Sequence, residues 1–259
     1  MKKILIFLLM LLNCNFVSAN MIIPKSIAEQ IEIYGYSPSE QGFFNAAKNG
    51  NVQVLGLFAE ANAYINMKDD TGKTPVYYAA AAGQEKAVKF LLLCGADINV
   101  RDENLKSPLM AAIEAKSFET VFLLINVNAS VKVSDENGYT PLHYAVLNNQ
   151  KEIVQTITSK FCDTEATDNE GNTPLFYSLG NKEIMNILLR SGADINGINS
   201  EGKTVLHQAV IKNDYDSVKF LIENGANVNI KDQNDNTPIF YAVKNSDIYT
   251  YLIESGAKI

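Results

Sequence analysis

From Gln41 to the C-terminus, apolar residues come in short stripes at helical spacing, and the stripes come in pairs. Leu142, Ala145 and Val146 fall at i, i+3 and i+4, and a little further on Ile153, Val154 and Ile157 share one face of a second segment. Each first stripe follows a Thr-Pro step. Thr140 can cap a helix with its hydroxyl, and Pro141 at the first helical position gives up an N–H that would be unpaired anyway. Several second segments stop at a glycine, as at Gly95, Gly192 and Gly225, where the left-handed conformation costs least. A polar turn such as DENG, over 135–138, leads to the next Thr-Pro. The pattern predicts two short helices per unit.

The unit repeats. Its marker step recurs as Thr74-Pro75, Ser107-Pro108, Thr140-Pro141, Thr173-Pro174, Thr204-Val205 and Thr237-Pro238, at an even spacing that shortens by two positions only between Pro174 and Val205. An earlier copy lacks the step but keeps the register, since Ala46, Gly50 and Ile65-Asn66 precede Ala79, Gly83 and Ile98-Asn99 by that same spacing. Seven units follow, at about 41–68, 69–101, 102–134, 135–167, 168–198, 199–231 and 232–259. A two-helix unit cannot bury its stripe alone, so the units must stack and share a core with their neighbours. Residues 20–40, with IAEQIEIYG between Pro24 and Pro38, read as a linker or a short helix covering the first unit. In the unit over 168–198, the stretch from Pro174 to Met185 is two positions shorter than its counterpart from Pro141 to Val154. The last unit has the same short stretch, from Pro238 to Tyr249. In both, the first helix must end sooner or its connection must tighten.

The sequence TPLHYA over 140–145, with CGADIN, SGADIN and NGANVN closing other units, resembles the ankyrin repeat family, whose units run to about 33 residues. The likeness covers nearly everything after about Gln41. It implies an all-α solenoid of helix-turn-helix units joined by β-turn or hairpin loops, and a non-enzymatic scaffold for protein–protein interaction. Family members contact partners through the turn tips and the concave first-helix face. Carried over by position, the tip candidates are Lys73, Lys106, Tyr139, Asn172, Lys203 and Asn236, each just before the Thr-type residue. Six positions after the Pro lie the groove candidates Glu114, Leu147, Ile211 and Lys244. Most of these are expected to be a solvated edge, since few interface residues carry binding energy. Tyr78, Tyr144, Tyr177 and Tyr241 share the position three after Pro and form a rung with two readings: aromatic packing between units, or a partly exposed ladder open to a ligand.

Candidate chemistry changes this picture little. His143 and His207 occupy one repeat position, where other copies have Tyr77, Met110 or Phe176, and no shared catalytic role tolerates that variety. Two layers apart, at about 10 Å per layer, they cannot share a metal. The same spacing rules out a bond between Cys94 and Cys162. No nucleophile–base group, phosphate loop or metal-spaced cluster recurs, so no cofactor is expected, and acid pairs such as Asp69-Asp70 read as turn chemistry. With 22 basic and 29 acidic residues, a formal net charge of −7 and no basic cluster, the chain offers nucleic acid no counterion-releasing surface. The expected partner is a protein, and the chain alone is expected to be monomeric.

The N-terminus alters the address. Lys2 and Lys3, the apolar run Ile4 to Leu12 and Val17-Ser18-Ala19 read as a signal peptide over 1–19, cleaved between Ala19 and Asn20. The run is too short to span a membrane, which takes about 20 apolar residues, and no later run reaches that length. Cleavage takes the net charge from −7 to −9 by removing two lysines and no acids. The expected location is periplasmic or secreted. Leu11-Leu12-Asn13-Cys14 loosely resembles a lipobox and gives the alternative, a lipoprotein anchored through Cys14 that supports another envelope protein.

Overall fold

The computed structural model describes residues 21–160 and 162–258. The proposed cleavage site at Ala19–Asn20 and the alternative anchor Cys14 lie outside them. The chain divides into two compact units, one through Glu136 and one from Asn137 onward. Both are built of helix pairs, and the described residues contain no strand, only an isolated bridge between Ile198 and Thr204. The loops expected as turns or hairpins are turns.

In the first compact unit a helix over Lys25–Ile33 buries Ile27 and Ile31 against the helix Val52–Glu60. Three pairs follow: Glu40–Lys48 with Val52–Glu60, Pro75–Ala81 with Glu85–Leu93, and Pro108–Glu114 with Phe118–Asn126. First helices pack on first helices and second on second, so each pair touches the next through both members. The second compact unit holds Pro141–Leu147 with Lys151–Thr158, Val205–Ile211 with Tyr215–Glu223, and two pairs whose first member is a 3₁₀ helix. Those two are Pro174–Ser178 before Lys182–Arg190 and Pro238–Tyr241 before Asp247–Glu254.

The stripes read from the sequence form the core. Leu142, Ala145, Ile153, Val154 and Ile157 are fully buried and Val146 nearly so. The helix starts follow from the Thr-Pro step. The Thr140 hydroxyl accepts the His143 N–H at 3.4 Å, and Nδ1 of His143 accepts the Thr140 N–H at 3.2 Å, closing a reciprocal cap. Because Nδ1 accepts, Nε2 carries the proton, and it donates to the Asn172 carbonyl of the next repeat at 3.2 Å. His207 repeats the arrangement with Thr204 and the Asn236 carbonyl. The histidine therefore closes its own helix and ties that helix to the following loop.

The missing two positions leave a visible mark. The segments Pro174–Ser178 and Pro238–Tyr241 adopt the tighter 3₁₀ path, and neither Thr173 nor Thr237 makes the side-chain cap that Thr140 and Thr204 make. Poorer hydrogen-bond geometry and a missing cap lower local stability. In hydrogen exchange the amides from Leu179 to Glu183 are expected to exchange faster than those from Val146 to Lys151; equal protection would contradict this account.

Candidate interaction surface

The surface is organised by the residue that opens each loop. Asp69, Asp102, Asp168, Asn199 and Asp232 stand five positions before the Thr-type cap. In each, one side-chain oxygen accepts two backbone N–H groups, from the residues two and four further on. For Asp168 these are Glu170 and Asn172, both at 2.9 Å; for Asp102, Asn104 at 3.0 Å and Lys106 at 2.9 Å; for Asn199, Glu201 and Lys203, both at 3.0 Å. The carboxylate thus folds its own loop. Successive tips are also joined by single backbone bonds, such as Glu103 N–H to the Thr71 carbonyl and Glu136 N–H to that of Asn104 in the first compact unit.

The tyrosine rung lands on these carboxylates. The hydroxyls of Tyr78, Tyr177 and Tyr241 donate to the second oxygen of Asp69, Asp168 and Asp232, nine positions back. Each latch fixes a loop to the first helix of its own repeat, and the sequence reading missed it. The fixed offset was the available signal. Tyr144 is buried, whereas Tyr78, Tyr177 and Tyr241 are half-buried, their hydroxyls engaged within the repeat and part of each ring still accessible. The repeat over 102–134 has Ala111 at the rung position; Tyr77 of the preceding repeat is buried there, and burial together with the Asp102 charge raises its hydroxyl.

The electrostatics follow. Burial alone would raise the Asp69 carboxyl, but hydrogen bonds from Tyr78, Thr71 and the N–H groups of Lys73 and Thr71 outweigh it and hold the group below the ordinary carboxylate value. The bond to Asp69, with burial, pushes Tyr78 up to about 12. Asp232 and Tyr241 shift in the same opposite directions. Burial keeps His207 below the ordinary imidazole value, so it stays neutral in its cap.

Two sequence-assigned tip residues need correction. Tyr139, expected to stand clear at a turn tip, is half-buried and meets His143, Tyr144 and Tyr177 at ring-centroid distances of 5.6, 6.1 and 5.8 Å. Asn172 is buried; its amide donates to Glu170 at 3.2 Å and to the Tyr177 hydroxyl at 3.3 Å, and its oxygen accepts from Asn199 at 3.0 Å. Both are loop-packing residues.

Other tip residues remain accessible. Lys73 and Lys203 lie over the rings of Tyr77 and Tyr241, at 5.7 and 5.4 Å from the centroids, Lys203 also pairs with Glu201, and Asn236 is half-buried. Lys106 pairs with Glu114 at 2.9 Å. Leu147, Ile211 and Lys244 are exposed at their groove positions. In the first compact unit, Lys48, Lys73, Tyr78 and Glu114 rim an open groove of about 460 Å³ with Ala81, Ala82, Ala111 and Ala115 along it. Among the described residues no group of three or more His, Cys, Asp or Glu side chains is placed to hold a metal ion, and no helix is long and apolar enough to cross a membrane. Cys94 is buried and Cys162 half-buried.

Capped helix pairs, loops pinned by an acidic side chain and a cross-repeat histidine define a stacked-repeat binding module. The family model for ankyrin repeats (three copies) matches residues 25–102, 91–168, 109–199, 155–232 and 179–259, and the chain belongs to the ankyrin repeat family. An ankyrin repeat protein of Borreliella burgdorferi is 47% identical over 73 residues, 28% of this chain and 18% of that protein. A fowlpox virus ankyrin repeat protein is 48% identical over 61 residues, 24% of this chain and 32% of its own length. The matched stretches thus span a third or less of these relatives. The solved ankyrin repeat domain of human ASB11 superposes with a TM-score of 0.73 at 20% identity, covering 84% of this chain and 98% of that one. The domain of Bcl-3, described as a member of the IkappaB family, also gives 0.73, at 23% identity over 82% of this chain and 97% of its own. Both likenesses concern the fold.

The loop contacts set the cost of altering them. Replacing Tyr139 with alanine is expected to cost about 1–2 kcal/mol through its lost ring contacts, while Leu147→Ser stays within about 0.5 kcal/mol of the parent, as exposed changes do; thermal melts of the two proteins decide. The Asp69 and Asp232 carboxyls, depressed in the folded state, stabilise above the ordinary aspartate value near 3.8, and that stability is lost as pH falls. The latch tyrosines, raised when folded, stabilise below their ordinary value near 10.0, and that stability is lost as pH rises past it. Denaturant midpoints are therefore expected to fall at both ends, and the combined Tyr78→Phe, Tyr177→Phe, Tyr241→Phe protein to show a smaller alkaline fall.

Proposed function

We propose that this chain is an exported, non-enzymatic scaffold that binds a partner protein through its accessible loop tips and its first-helix face. The observation that carries the reading is the groove of the first compact unit, where charged and aromatic side chains converge beside a floor of alanines. A rigid surface of this kind avoids much of the ordering cost that a flexible binder meets. The order of lysines, apolar run and small residues before Asn20 supports export to the periplasm or beyond, with a role as an envelope support or a lipoprotein anchor through Cys14 as the alternative.

Two measurements test the reading. Intact mass of the protein recovered from an expressing bacterium is expected to correspond to a chain beginning at Asn20; a retained Met1 counts against export, and a lipidated Cys14 establishes the anchor. Photo-crosslinkers placed at Glu114 and Leu147 are expected to trap a specific partner protein, while one at buried Ile153 traps none. Equal yields from all three positions would remove the support for a defined binding face.

A further inference from the structure

The groove of the first compact unit lies beside a repeat that has no rung tyrosine. At the position three after Pro, Tyr78, Tyr177 and Tyr241 each fill the space above their helix and latch an aspartate; the repeat over 102–134 carries Ala111 instead. The aspartate of that loop still accepts the N–H groups of Asn104 and Lys106. The loop thus forms without the latch, and at this position the groove is lined by a buried methyl group rather than a ring. Its neighbours are equally small: Ala81, Ala82 and Ala115 line the same groove, where the corresponding first-helix positions of other repeats hold Leu147, Asn148, Ile211 and Lys212. Tyr78 forms one wall, offering a ring against which another can pack edge to face.

Charge selects what accompanies that ring. Glu114 is already paired with Lys106 at 2.9 Å, whereas Lys48 and Lys73 make no ion pair among the described residues. The groove therefore combines an alanine lining beside a tyrosine ring with two cations that make no ion pair among the described residues, on a chain whose net charge is otherwise negative. We infer that it receives an aromatic side chain from an extended segment of the partner, with an aspartate or glutamate one or two residues away held by Lys48 and Lys73. This rests on the protein-binding reading above and names the chemistry it recognises. A groove of about 460 Å³ has room for one large ring and the backbone on either side of it.

The test uses the full chain as bait for a phage-displayed library of random dodecapeptides. Peptides selected on the parent are expected to carry Phe, Tyr or Trp beside an acidic residue. Their affinity, read by fluorescence polarisation, is expected to fall at least tenfold on Ala111→Tyr, which refills the rung. Ala82→Tyr, at an exposed position of the same groove, is expected to do likewise and keeps the test valid should Ala111→Tyr unfold the repeat. Selection on the Lys48→Glu, Lys73→Glu protein is expected to shift the aromatic's neighbour from acidic to basic. Peptides that lack the aromatic–acid pair, that bind both filled variants as tightly as the parent, or that fail to appear at all overturn the inference. Crosslinking of a partner at Glu114 and Leu147 that survives Ala82→Tyr would overturn it too, while leaving the scaffold reading in place.

Discussion

The architecture depends on one side-chain oxygen per loop. Asp168 Oδ1, accepting the N–H groups of Glu170 and Asn172, converts a polar connection into a fixed turn, and its second oxygen takes the Tyr177 hydroxyl. Without that constraint the Thr-Pro step would have no defined approach. Helix start, cap and the carbonyl that receives the preceding histidine all stand at the end of the loop the aspartate folds. A charged acceptor suits the task because hydrogen bonds to carboxylates are stronger than those between neutral groups. Asn199 does the same folding with a neutral amide, and its repeat lacks the rung tyrosine, having Gln208 in its place.

Packing then propagates from neighbour to neighbour. In the first compact unit first helices meet first helices and second meet second, so apolar stripes there are completed by the adjacent copy. The histidine bridges show how polar groups join this scheme without disturbing it. His143 is fully buried with both ring nitrogens engaged, one within its repeat and one in the next. A residue that looks like chemistry is therefore a joint, and its neutral form is the one the joint requires.

Much of this was legible in the sequence because it is local. The apolar stripes, Thr-Pro caps and loop aspartates are set by close neighbours along the chain, and they fold as those spacings imply. The shortening before Met185 likewise shows as the 3₁₀ path of Pro174–Ser178. What escaped depends on the neighbouring copy. Asn172 looked like a solvated tip, yet Asn199 of the following loop covers it; Tyr139 looked isolated, yet Tyr177 of the next repeat packs against it. The latch between Asp168 and Tyr177 spans a loop and a helix start, a distance at which neither turn rules nor helical periodicity pairs residues.

The bonds between successive tips constrain how such a chain can change length. The loop aspartate or asparagine always stands five positions before the Thr-type cap, and the shortened repeat is no exception. Its loss falls between the helices, where the cost is a tighter turn. The same loss within a loop would misplace the carboxylate's two N–H donors and the bond to the adjacent tip at once. Insertions and deletions should therefore accumulate on the inter-helix side of the repeats, leaving the edge of loop tips with a constant step and freedom to vary only in side-chain identity.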